Sequence, residues 1–288
     1  MQLTPRYGTD PVIIIDGPPA AILGPVVAQR RRLAKALASF TDEQWAQPSR
    51  CDGWSVRDVI VHLDTTNVFW NVSIAAGRRG EPTRFLATFD PVVSPAELVA
   101  RAGDVSTDEV FDRFVASTES LVGLLSSLTD AEWPMPAEAP PGHVSIAAVA
   151  HHALWDSWVH ERDILLPLGI APVDDVDEIA ACLRYVAALG PALALSRGHV
   201  GSGILAVAVT QPDVSFVVDI GERVVVRSGA ATDPGPSTGP AGNGPRLSGD
   251  AVELLEALSI RGPFKQPIPA DSSWMLYGLS ETFDVEHD

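Results

Sequence analysis

Residues 45–63 read WAQPSRCDGWSVRDVIVHL, and a change of pattern inside this stretch decides how the chain is read. As far as Trp54 it is broken by Pro48 and Gly53; from Ser55 onward apolar residues recur at three- and four-residue spacing, with Val59, His62, Leu63, Thr66 and Phe69 on one side. Ser55 is a good N-cap, and Asp58 places a carboxylate in the first turn, where the helix dipole favours it. The pattern turns His62 toward a helical interior. An imidazole there needs a partner.

Outward from this helix, the same periodicity predicts helices over 21–40, 107–128 and 145–166, with a short capped turn at 41–45. After a Pro- and Asp-rich break at 171–177 comes a helix over 178–189. The period then shortens to two over 203–210, 214–220 and 223–227, with turn signals between them, which predicts an antiparallel meander. Residues 232–246 (TDPGPSTGPAGNGPR) read as a flexible loop, and 250–260 as a closing amphipathic helix. Helices first and strands later give an α+β chain: a four-helix bundle over 1–172, then a small α/β domain with an antiparallel sheet over 173–288.

Composition narrows the partners. The formal net charge of −17 repels phosphate backbones and anionic lipid, so nucleic acid and membrane surfaces are not expected partners. Cys51 and Cys182 are too few for a disulfide framework, and a reducing cytoplasm is the default. No leader sequence is read at the N-terminus, and no spanning segment is read; the richest apolar window, 187–195, contains Gly190 and Pro191.

Chemistry concentrates in the histidines: of seven, His143, His151, His152 and His160 fall between 143 and 160. Asp156 and His160 leave one helical face a turn apart, as a carboxylate and an imidazole on one metal ion would. With His62 from a facing helix they supply three ligands and leave a fourth position open. A rival set, His152, Asp156 and His160, has equally suitable spacing, and a hydrogen-bonded core role for His62 stays open at this stage. Glu161, Arg162 and Asp163 read as an exposed charged turn, Cys51 as structural, and Trp54, Trp70, Trp155 and Trp158 as core or site-mouth residues.

Residues 45–63, together with WDSWVHERDI at 155–164, resemble the mycothiol-dependent maleylpyruvate isomerase family, whose N-terminal half is a DinB-like four-helix bundle. The resemblance implies metal ligation by His62, Asp156 and His160, with Asp156 standing where the family usually has Glu. LSGDAVELLEALSIRGPF at 247–264 resembles, more loosely, the family's sterol-carrier-protein-like C-terminal module, and makes Arg261 the match for a catalytic arginine near the chain end. Also implied are a divalent metal, zinc by default, mycothiol as co-substrate, and a small unsaturated or aromatic substrate that undergoes S-transfer or cis–trans isomerisation in a monomer or homodimer. The alternative is a non-catalytic protein that binds a small or apolar ligand on the same fold.

Overall fold

The helix expected after Ser55 runs over Val56–Arg78 in the computed structural model, which describes residues 2–229 and 244–285. Ser55 accepts from Asp58 N while the Asp58 carboxylate accepts from Ser55 N, a reciprocal cap that fixes where the helix begins. In chain order the elements are β1 (Ile13–Ile15), α1 (Leu23–Leu37), α2 (Asp42–Trp45), α3 (Val56–Arg78), α4 (Val93–Arg101) and α5 (Thr107–Ser126). A hairpin follows, β2 (Pro136–Ala139) with β3 (Gly142–Ser145), then α6 (Ile146–Leu165), α7 (Val176–Ser196), β4 (Gly203–Thr210), β5 (Val214–Ile220) and β6 (Val224–Ser228). The described chain ends with β7 (Arg246–Asp250), α8 (Ala251–Leu258) and α9 (Gly278–Phe283).

Helices α1, α3, α5 and α6 form a bundle in which α1 and α3 each pack against both α5 and α6. Apolar stripes close it, with Leu33, Val59, Leu63, Phe114 and Ile164 fully buried. Helix α4 and the hairpin have no counterpart in the sequence reading. The hairpin is anchored by the buried carboxylate of Glu138, which accepts from Tyr7 Oη and Thr83 Oγ1, both at 2.6 Å, and from the backbone of Phe85 and Leu86.

The α+β class stands, but the sheet is mixed, not antiparallel throughout. Its order is β1-β6-β5-β4-β7, and only β4, β5 and β6 form the expected meander. Both outer strands run parallel to their neighbours, with Ile13 opposite Val224 and Leu247 opposite Val207. Each comes from a remote segment of chain, so local alternation did not reveal the pairing. Residues 232–243 of the expected loop lie outside the described residues; at its described end, Arg246 already opens β7.

Helix α7 corrects a second expectation, since it continues through Gly190 and Pro191 as far as Ser196. By length and composition it would be able to cross a membrane, with mean hydropathy 1.6, yet 72% of that stretch is buried within the protein. It packs against α6, α8, α9 and the sheet, and this burial outweighs the ~3 kcal/mol cost of an interior proline. Gly278 at the start of α9 approaches α7 so closely that an added Cβ would overlap the carbonyl oxygen of Gly190. Because backbone meets backbone there, Gly278→Ala is expected to destabilise the protein by about 1–3 kcal/mol in denaturant unfolding.

Candidate metal centre

Asp156 and His160 both face α3 from α6, one turn apart. Asp156 Oδ1 lies 3.8 Å from His62 Nε2 and 3.6 Å from His160 Nε2. One donor atom from each of the three residues falls within 4.8 Å of the others. Two ligands about 2.0–2.1 Å from a tetrahedral zinc ion are about 3.4 Å apart, so the two Asp156–histidine separations need only close by a few tenths of an ångström. The shorter aspartate therefore reaches both rings. The three side chains are only 10–14% exposed.

The electrostatics bind the set together. Burial pushes the Asp156 carboxyl up, but the His62 hydrogen bond and the charges of His160 and His62 hold it well below the usual carboxylate range. Burial lowers His62. His160 is also desolvated, yet the Cys51 sulfur, its hydrogen bond to Asp163 and the Asp156 charge raise it to about 10. A cation sits deeper still. Arg30 on α1 is fully buried and donates from Nη2 to Ala153 O at 2.9 Å, while Nε and Nη1 have no hydrogen-bond partner among the described residues. Burial lowers it to about 10, against the opposing pull of Asp156.

A second layer surrounds the other nitrogen of His160. Nδ1 is 3.0 Å from Asp163 Oδ2 and 3.5 Å from Cys51 Sγ. Asp163 also accepts from Arg261, through Nε and Nη2 at 2.9–3.1 Å, and lies 3.2 Å from Cys51 Sγ. Arg261 leaves the end of α8 through a turn in which Ile260 N donates to Ala257 O and Arg261 N to Glu256 O. That turn holds Ile260 at φ 54°, a left-handed conformation costly for a β-branched side chain and usually given to glycine.

Residues 26–165 match the model of the mycothiol maleylpyruvate isomerase N-terminal domain. Over those residues the chain is similar to that domain. Two crystal structures, titled as the mycothiol-dependent maleylpyruvate isomerase and a mutant of it, share the fold: each has a TM-score of 0.60 at 17% identity, over 88% of this chain and 97% of theirs. No curated protein matches.

His160 thus stands between two candidate cation seats: His62 and Asp156 around Nε2, or Cys51 and Asp163 around Nδ1. The second already contains a cation, because the Arg261 guanidinium sits 3.6 Å from Cys51 Sγ and is paired with Asp163. The donor chemistry therefore favours the first. His152 belongs to neither: its Nδ1 is 2.6 Å from the hydroxyl of Tyr185 on α7, and its ring packs on Trp70.

Glu161, Arg162 and Asp163 form no exposed turn; all three are buried. Each meets an opposite charge on another segment: Glu161 pairs with Arg32, Arg162 with Asp174 and Asp163 with Arg261. Arg162 also stacks over Trp158 at 4.1 Å. Trp155 and Trp70 are buried too, Trp155 donating to Ser259 Oγ at 2.8 Å, whereas half-buried Trp54 packs its ring 5.3 Å from that of His62.

The two seats make opposite demands on variants. Cys51→Ser should retain metal binding and His62→Ala should abolish it, read by elemental analysis of the zinc-incubated proteins. His152 supplies a pH test. Burial depresses it to about 4, so its contribution is complete above the unfolded value of about 6.5 and is lost as the pH falls toward 4. Between pH 7 and pH 5, wild type should lose about 2 kcal/mol more urea stability than His152→Gln.

Proposed function

We propose that the chain is a metal-dependent, mycothiol-dependent enzyme that activates a thiol for S-transfer to, or cis–trans isomerisation of, a small unsaturated substrate. The observation that carries this reading is the meeting of His62, Asp156 and His160 with their donor atoms within 4.8 Å of one another, with Arg261 held nearby. The matched domain and the titles of the two similar structures support the thiol and the reaction class.

A divalent ion, zinc by default for two imidazoles and a carboxylate, supplies when bound the charge that keeps a thiol ionised; a free thiol of pKa ~8.5 is only about 3% thiolate at pH 7. The residues do the rest. His62 from α3 and Asp156 and His160 from α6 would hold the ion, and three protein ligands would leave a fourth position for the thiol. Trp54 offers an apolar wall on the His62 side for a planar, unsaturated substrate. Arg261 directs Nε and Nη2 at Asp163, so Nη1 is the nitrogen left to meet a substrate carboxylate. With the three ligand side chains so little exposed, bulk water has restricted access to the reacting groups.

Protein purified without chelator or affinity tag should contain about one divalent ion per chain by elemental analysis, and His160→Ala should contain none. Metal-replete wild type should then consume or isomerise an unsaturated acid only when mycothiol is present. A wild-type protein that takes up no metal even from excess zinc would overturn the proposal.

A further inference from the structure

We propose that Asp163 is a positioning residue that holds two working groups at once, the imidazole of His160 and the guanidinium of Arg261. The inference rests on the function proposed above.

The side chain of Asp163 is wholly buried, and its charge is met from several segments of chain. Oδ2 lies 3.0 Å from His160 Nδ1, 2.9 Å from Arg261 Nη2 and 3.2 Å from Cys51 Sγ; Oδ1 lies 2.9 Å from Arg261 Nε and 3.5 Å from Arg50 Nε. The backbone joins in, as Arg50 N donates to Asp163 O at 3.0 Å. This fixes the segment before α3 against the last turns of α6, so the carboxylate has little room to swing.

The consequence for His160 is geometric. A ring free at Nδ1 can turn about its bond to Cβ, and in one tautomer it presents a proton toward His62 and Asp156. A carboxylate at 3.0 Å keeps a proton on Nδ1, so Nε2 is the nitrogen that would give up its proton to a bound metal ion beside the other two ligands. Cys51 is the alternative neighbour at Nδ1, but it is farther away, at 3.5 Å, and sulfur is a weak acceptor. For Arg261 the same carboxylate is the fork that fixes the guanidinium plane, through Nε and Nη2. The turn at Ile260 delivers Arg261 to that fork with its backbone in a disfavoured conformation, as expected where a side chain's direction matters. Three residues separate Asp163 from His160 and 98 separate it from Arg261, so one carboxylate sets the distance between a bundle ligand and a group from beyond the sheet.

Asp163→Asn keeps the shape and removes the charge. In zinc competition against a chromogenic chelator it should bind about 10- to 100-fold more weakly than wild type. In the same protein, phenylglyoxal should modify Arg261 several-fold faster, mapped by peptide mass spectrometry with the other arginines as internal reference. Zinc affinity within about twofold of wild type, or an unchanged Arg261 rate, would overturn the inference. A wild-type chain that binds no zinc removes the proposed function and this inference together, whereas a zinc-binding wild type with an equally tight Asp163→Asn variant removes only the inference. If Asp163→Asn does not fold, Arg261→Met carries the test, since it keeps the buried carboxylate but leaves Oδ2 to His160. Its cobalt(II)-loaded form should show a shifted d–d spectrum, and an unchanged spectrum would overturn the proposal.

Discussion

A carboxylate cut off from water must be surrounded by donors or give up its charge, and Asp163 is surrounded on every side. Its partners come from the loop before α3, from α6 itself and from the turn after α8. This requirement draws the second half of the chain onto the bundle next to its donor cluster. The neighbouring contacts follow the same line: Arg50 pairs with Glu256 at 2.9 Å, Arg162 approaches Glu256 at 3.6 Å, and Trp155 reaches Ser259. Glu138 offers an instructive contrast. It is equally buried but is satisfied by hydroxyls and backbone N–H groups, and it ties down a hairpin without recruiting a cation.

The same constraint distinguishes the two faces of His160. Both nitrogens of the ring have a carboxylate within reach, Asp156 on one side and Asp163 on the other. What differs is the company those carboxylates keep. Asp163 is neutralised by a guanidinium, while Asp156 faces a second imidazole and, deeper in the bundle, the incompletely bonded Arg30. A divalent ion adds attraction on the Asp156 side and repulsion on the Arg261 side.

Much of the helical half was legible because it obeys local rules. Ser55 and Asp58 mark the start of α3, and the four-residue interval between Asp156 and His160 places both on one face whatever the rest of the chain does. The charged triplet at 161–163 shows the converse, being buried where its sequence suggests an exposed turn. Its burial depends on Arg32, Asp174 and Arg261, and nothing near it in sequence announces them. Nothing near Cys51 in sequence announces that its sulfur lies beside a histidine more than a hundred residues away. In the sheet, the meander of β4 to β6 was readable from alternation alone. The parallel outer strands were not, since Ile13–Ile15 is too short to show a period and β7 follows a Pro/Gly-rich stretch. Helix α7 shows tertiary burial overriding a local breaker: Pro191 stops a helix in water more readily than one enclosed on most sides.

The span of the Asp163–Arg261 pair also has a consequence in time. His62, Asp156 and His160 have all been made by the time the ribosome passes residue 160, so the three donors can meet while the rest of the chain is still being synthesised. The partner that neutralises Asp163 arrives about a hundred residues later. At the ~5–20 residues per second typical of synthesis, that leaves an interval of roughly 5–20 s in which Asp163 has Arg50 and His160 available to it but not yet the Arg261 fork. The order of synthesis therefore builds the donor cluster first and the guanidinium that backs it last.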